Sequence, residues 1–403
     1  MYFTRALFKS PWHHTVESSY FSTFLLFIYT LSKNSMSESN RDIVLLGDYD
    51  YSYPREKLLR RGFEQANTTV HECQFSGTSR FIGITKLILL PLFLIRIVRD
   101  MSDIRNSKVD VDAIVLTKFN PLVIPIAAYY ARRLSCPLVY DLFVSLYRTA
   151  EMRNINSVIV RTLALLEQIT LQLPDYHLVG TNQFIDLYSD MYSIPQERFI
   201  RLPPGADSDW FYPQEDTEKR ESFTILYWGN FLPHHGVGTI IGAAAELRNK
   251  PYEFVFLGSG PEQERYRQMC EDLSLSNVRF EGFVPREDQQ KWIASSHVCL
   301  GIFADDPRSL ASITNKVSEA VAAEKATLTE KSPAIEEWFE HGKSIYTTPP
   351  EDPIALAEAI CTLDENRDLI QRIESGGHAV YDREFDTEAI GKTLEDNLFE
   401  LIT

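Results

Sequence analysis

The sequence predicts an α/β protein of two successive doubly wound units, and three observations predict it. From residue 42 onward, short apolar runs alternate with stretches of helical spacing. Those runs are continuous rather than polar at every second residue, as expected of strands buried on both faces of a parallel sheet. The alternation lapses over "DSDWFYPQEDTEKRES", 207–222, and then restarts, while 403 residues are too many for one ordinary core.

In order, "DIVLLG" (42–47) reads as a strand, "REKLLRRGFEQAN" (55–67) as a helix and "TVHECQF" (69–75) as the next strand. "DAIVLT" (112–117) and "PLVYDLF" (137–143) are strands flanking the helix "PLVIPIAAYYARRLS" (121–135). The helix "SVIVRTLALLEQITLQL" (157–173) leads to the strand "HLVGTN" (177–182), and "ERFIRLPPGADSDWF" (197–211) closes the first unit at a Pro-Pro-Gly turn. After the polar linker come the strands "FTILYWGN" (223–230), "YEFVFLGSG" (252–260), "VRFEGFV" (278–284) and "HVCLGIF" (297–303). They are separated by the helices 237–249, 262–275 and 286–296. "FIGITKLILLPLFLIRIVRD" (81–100) departs from the pattern, being apolar almost all round with Lys86, Pro91 and Arg96 as interruptions. It reads either as a core helix kinked at its proline or as a surface patch dipping into lipid headgroups.

A net charge of −16 argues against non-specific nucleic-acid binding, which needs a basic face. Five cysteines without paired spacing (Cys73, Cys136, Cys270, Cys299, Cys361) suggest neither a disulfide framework nor a zinc site, and fit a reducing cytoplasm. The apolar stretch 18–32 is shorter than the roughly 20 residues that span a bilayer. Residues 1–40 read as an N-terminal extension, with translation expected at Met36 or, in the competing reading, with the stretch as an interfacial anchor.

Candidate chemistry gathers at the strand ends of the second unit, where open α/β sheets bind ligands. In "GNFLPHHGVG" (229–238) Gly229 permits close backbone approach, Gly236 opens a helix, and His235 sits at its N-terminus. "LGSGPEQE" (257–264) repeats the strand, turn and helix order with Gly258 and Gly260, although glycine also serves simply to make tight turns. "EGFV" (281–284), ending in Val284, offers backbone groups to the edge of a flat base. "ITNKVSEAVAAEKATLT" (313–329) places Asn315, Lys316 and Glu319 at a helix mouth, preceded by Arg308 in "ADDPRSLAS". A solvated first turn explains an acid there; an anion site beside a carboxylate explains all three residues together. Their convergence on one rim predicts a ligand with both phosphate and hydroxyl groups. "DYD" (48–50) and "DVD" (110–112) read as solvated loop acids, and no metal is expected.

These segments resemble the retaining glycosyltransferases of family 4. The resemblance rests on "YWGNFLPHHGVGTIIGAAAEL", "FVFLGSGPEQE", "NVRFEGFV" and "NKVSEAVAAEKATLT", with "HLVGTNQFIDLYSDMYSIPQERFIRLPPGADSDWF" similar to the family's crossover between domains. It implies a GT-B fold, two doubly wound Rossmann-like domains facing across a cleft. Residues 41–206 would bind the acceptor, 207–380 the nucleotide-sugar, and 381–403 would pack back on the first domain. By the same resemblance Glu319 takes the ribose hydroxyls of a nucleoside diphosphate-sugar. The backbone at Asn315, Lys316 and Val317 holds the diphosphate, Gly229, Gly236, Gly258 and Gly260 shape the cleft, and Arg55 in "DYDYSYPREK" closes over the phosphates. Two departures stand out. Ala311 replaces the family's first glutamate, and Asn230 and His235 replace its Arg and Lys, leaving Arg308, His235 and Lys316 to supply positive charge to the leaving diphosphate. Asp141 stands near the place of the first-domain histidine and is expected to orient the acceptor or act as a base. The expected acceptor is a glycan or lipid-linked glycan for cell-surface synthesis, with 81–100 touching the inner face of the cell membrane. A non-catalytic scaffold and a nucleotide-sugar epimerase of the same fold are the alternatives.

Overall fold

A computed structural model of the chain describes residues 41–402 except 48, 50–53, 75–83, 118–120, 144, 153–154, 215–216 and 218–219. The expectations for residues 1–40, for most of the loop before Arg55 and for the start of the 81–100 segment lie outside the described residues.

The first sheet contains β1 (Arg41–Gly47), β2 (Thr68–Gln74), β3 (Ala113–Thr117), β4 (Leu138–Asp141), β5 (Tyr176–Val179) and β6 (Phe199–Arg201), in the order β2-β1-β3-β4-β5-β6. β1 pairs with β3 in parallel, with Ile43 opposite Ala113 and Leu46 opposite Leu116. Both faces are covered, which is why the strands are apolar throughout. Val44, Leu46, Ile114 and Leu116 meet the helices on one side, including Ile97 and Met101 of the helix Ile84–Ser107. Ile43, Leu45, Ala113 and Val115 pack on the other side against Leu58 and Phe63 of the helix Pro54–Gln65 and against Ile390, Leu394, Leu398 and Phe399. The C-terminal end of the chain therefore returns to the first sheet.

The second sheet contains β7 (Phe223–Trp228), β8 (Tyr252–Leu257), β9 (Val278–Gly282), β10 (Val298–Leu300), β11 (Thr327–Glu330) and β12 (Tyr346–Thr348). All of its pairings are parallel, in the order β12-β11-β10-β7-β8-β9. The order reverses between β7 and β10, and loops leaving the carboxyl ends of these strands diverge there to open a crevice.

The apolar helix Ile84–Ser107 runs on through Pro91 and shows two faces. Ile97 and Met101 are fully buried, whereas Leu92, Ile95 and Val98 are exposed, Ile95 by 65%. No described helix is long and apolar enough to cross a membrane. The beginning of the 207–222 stretch, residues 207–211, is pinned. Asp207 is buried and takes ion pairs from Lys57 and Arg61, and Phe211 enters the core of the second sheet.

Candidate functional site

A cleft of about 330 Å³ opens at the carboxyl ends of β7 and β10. Its second-unit wall includes Trp228, Gly229, Asn230, His234, His235, Arg308, Thr314, Asn315, Lys316 and Glu319. Phe143, Gly180, Phe184 and Pro204 of the first unit face them. The volume falls within the range of small-molecule sites.

The helix Asn315–Ala322 begins without a side-chain cap. Thr314 occupies the capping position in extended backbone, yet its hydroxyl makes no capping bond and is buried without a partner. Val317 N–H donates to the Thr314 carbonyl at 2.9 Å, but the Asn315 and Lys316 amides have no intrahelical acceptor, so the uncapped mouth on a cleft wall is ready for an anion. Lys316, from the same turn, is only 6% exposed. Its ammonium lies 5.0 Å from the centroid of the Tyr227 ring, and no carboxylate holds it in an ion pair among the described residues. Burial lowers its pKa to about 8, partly offset by Glu319 and Glu330. Glu330 contributes little charge, because its own burial pushes its carboxyl well above the usual range. A buried cation without a carboxylate on it is costly unless a ligand supplies the charge.

Gly229 explains how the loop after β7 comes so close to this lysine. It has φ +120°, and a Cβ there would lie 3.6 Å from Lys316 Cε. A side chain would suffer from the backbone angle more than from the space.

Glu319, one turn along the helix and 4% exposed, is aimed by two partners. Trp228 donates its indole N–H to Oε2 at 2.7 Å, and an Arg286 guanidinium nitrogen stands 3.5 Å from Oε1. Neither Trp228 nor Arg286 was marked by the sequence as part of the site. Trp228 was visible within the strand "FTILYWGN", but only the three-dimensional arrangement sets it across from a residue 91 positions away.

Several expected residues lie elsewhere or act differently. Arg55 and Asp141 do not line the cleft. Both are buried and joined to each other at 2.8 Å, and Arg55 also donates to the carbonyls of Leu202 and Pro203. With its donors spent on the crossover between units, Arg55 is a structural clamp rather than a phosphate ligand. Asp141 is held by that guanidinium, away from the cleft lining. His235 supplies no positive charge, since burial and the neighbouring Lys316 hold its pKa well below the ordinary 6.5. His234 is lowered to about 4, by burial and by Arg308. Gly236, Gly258, Gly260, Val284 and Val317 are not among the residues that line the cleft. A Cβ on Gly258 would collide with the Gly229 backbone, so that glycine sets the loop's path.

Ala311, where a carboxylate was expected, is 4% exposed and packs with first-unit residues such as Phe184. Its carbonyl accepts a hydrogen bond from Thr181 at 2.7 Å. The position serves as a contact between units. Asp112 of "DVD" is likewise structural, accepting from the Asp42 amide at 2.8 Å. Among the described residues, no His, Cys, Asp and Glu gather into a cluster able to hold a metal.

Residues 222–366 match the family described as glycosyl transferases group 1. A lipopolysaccharide core biosynthesis glycosyltransferase, LpsD of Rhizobium meliloti (strain 1021), is 27% identical over 196 residues, 47% of this chain and 51% of its own. A GDP-mannose-dependent alpha-(1-6)-phosphatidylinositol monomannoside mannosyltransferase of Mycolicibacterium smegmatis is 26% identical over 27% of this chain and 31% of its own. The matches thus span about half of one curated relative and a third of the other. Among solved structures, sucrose-phosphate synthase from Thermosynechococcus elongatus superposes with TM-score 0.68 at 15% identity, covering 90% of this chain and 99% of that one. HepE of Anabaena, solved with UDP and glucose, superposes with TM-score 0.66 at 16% identity, covering 90% of this chain and 100% of that one. The likeness shows the fold, GT-B.

Proposed function

We propose, from the match of residues 222–366 to the glycosyl transferases group 1 family, that this chain moves a sugar from a nucleoside diphosphate donor to an acceptor at the first unit. The observation that carries this reading is the buried Lys316, with no acid paired to it among the described residues, beside an uncapped helix mouth. The diphosphate sits on the amides of Asn315 and Lys316 and on the ammonium. Glu319 turns one carboxylate oxygen to the ribose hydroxyls as Arg286 yields. Arg308 flanks the leaving group from the next loop. As the sugar–phosphate bond breaks, negative charge grows on the diphosphate, and fixed donors there act without reorganising. Lys316 and the amides meet that charge without a metal. The acceptor enters past Phe143, Phe184 and Pro204 on the face from which the diphosphate departs, so the anomeric configuration is retained. That HepE was solved with UDP and with UDP-glucose, and that one relative is named for GDP-mannose, supports a nucleotide-sugar donor. The test is turnover and hydrolysis across a panel of UDP- and GDP-sugars. Turnover of one of them is expected; binding without turnover favours a non-catalytic scaffold, and no binding defeats the reading.

The acceptor class follows from the outer surface of the first unit. Leu92, Ile95 and Val98 on one helix and Val158, Ile159, Leu165 and Ile169 on the helix Ser157–Thr170 are exposed. Arg96, Arg99, Arg132, Arg133 and Arg161 are exposed on the same layer of helices, in a chain whose net charge is −16. Apolar residues among cations suit an anionic bilayer and a lipid-linked glycan of the cell envelope, reached from the cytoplasmic side. The protein is expected to float with phosphatidylglycerol vesicles and not with phosphatidylcholine vesicles. The Leu92→Ser/Ile95→Ser/Val98→Ser variant is expected to sediment alone while still binding nucleotide. Failure of the unaltered protein to float contradicts this acceptor class.

A further inference from the structure

The hydroxyl of Tyr227 lies between two groups, the Asn230 carbonyl oxygen at 3.1 Å and His235 Nδ1 at 2.7 Å. A carbonyl only accepts, so the phenol donates to it, and Nδ1–H then donates to the phenol oxygen. In the reverse arrangement the phenol gives its proton to Nδ1, and two oxygens face each other at 3.1 Å with no hydrogen between them. Tyr227 is fully buried, which pushes its phenol well above 10 and keeps that proton in place. The relay therefore fixes the tautomer of His235, leaving a lone pair on Nε2.

The surroundings keep the ring in that state. Lys316, His234 and Arg308 face the imidazole, and each opposes a further positive charge. The main-chain N–H of His235 is bonded to Leu232 and its carbonyl to Phe303, so among the described residues Nε2 is left as the uncommitted polar atom of the side chain. His235 lines the cleft.

We infer that His235 reads a hydroxyl of the donor sugar, accepting its hydrogen bond at Nε2. This rests on the cleft being the donor site. A phosphate oxygen, itself only an acceptor, is repelled by the same lone pair, so the loop after β7 and the helix mouth divide the ligand between them. Lys316 and the amides take the anionic part, and His235 takes an O–H group. A site built to bond a hydroxyl discriminates against the analogue lacking it.

Two measurements test the inference. The ring ¹⁵N resonances of His235, assigned by comparison with His235→Gln, are expected to show Nδ1 protonated and Nε2 bare at pH 7, without titration between pH 5 and 8. Tyr227→Phe removes the phenol acceptor, leaving the Asn230 carbonyl beside the ring, and is expected to raise the share of the other tautomer. With a series of singly deoxygenated donors, one analogue is expected to lose about tenfold or more in kcat/KM with the unaltered protein. That penalty should nearly vanish in His235→Phe. An Nε2–H ring or an imidazolium at pH 7 overturns the inference while leaving nucleotide binding untouched. Equal deoxygenation penalties in both proteins overturn it as well. Absence of any nucleotide binding overturns it together with the donor reading, and is recognised because Lys316→Met then changes nothing either.

Discussion

Lys316→Met is expected to weaken nucleoside diphosphate binding by about 30- to 1000-fold, the cost of truncating one partner of a buried charge pair, without destabilising the free protein. The ammonium is buried with no acid paired to it among the described residues, and its pKa of about 8 lies well below the ordinary 10.5. A depression of that size disfavours the charged form by on the order of 3 kcal/mol. Methionine fills similar space with no charge to desolvate, so the empty protein should melt at the same or a higher temperature. Loss of binding with gain of stability separates a ligand site from a structural lysine, whose removal would lower both. The sign of the pH dependence follows. A bound diphosphate favours the charged lysine, so binding takes up a proton once the free lysine has begun to lose its own. Affinity is then highest below pH 8 and falls about tenfold from pH 7 to pH 9. Calorimetric titration in buffers of different ionisation enthalpy reads both the affinity and the proton count. An unchanged affinity across that range contradicts the role given to Lys316.

Glu319→Gln is the second large effect expected. The amide oxygen can still accept from the Trp228 indole, so that contact survives, while the charge opposite Arg286 is lost. A carboxylate accepting from two vicinal ribose hydroxyls makes charge-assisted bonds, so the substitution should cost nucleoside diphosphate binding roughly ten- to a hundredfold. Inorganic pyrophosphate, which has no ribose, should bind as before. Glu319→Ala adds a second penalty, because it leaves the buried indole N–H without an acceptor, worth about 1–3 kcal/mol of stability. Comparing nucleoside diphosphate with pyrophosphate across the two variants separates recognition from folding. Equal losses for both ligands would show that Glu319 acts only by shaping the helix.

How far the sequence could be read depended on the range of the interaction. β1 was legible as "DIVLLG" because a strand buried on both faces is apolar at every position, and β7, β8 and β10 for the same reason. The helix Asn182–Tyr192 was passed over inside the crossover sequence, although Phe184, Ile185, Leu187, Tyr188, Met191 and Tyr192 recur at helical spacing and face the first sheet's core. Asn315, Lys316 and Glu319 were legible as a constellation because one helix turn brings them together. Arg55 and Asp141 were misplaced for the opposite reason. They are 86 positions apart, and nothing local to either shows that they pair. His235 lines the cleft but was expected to carry charge, because its environment comes from Tyr227 and Lys316 rather than from its neighbours in sequence. Ala311 was noticed as a departure, but its use as a contact between units appears only once Thr181 is seen against it.

The most direct test is a crystal structure of the protein grown with the nucleoside diphosphate that binds it most tightly. The diphosphate is expected on the Asn315 and Lys316 amides with the Lys316 ammonium within hydrogen-bond reach, and the ribose hydroxyls on Glu319 with Arg286 drawn aside. A nucleotide bound elsewhere, with the Arg286–Glu319 pair closed and the helix mouth holding only water, would contradict the account.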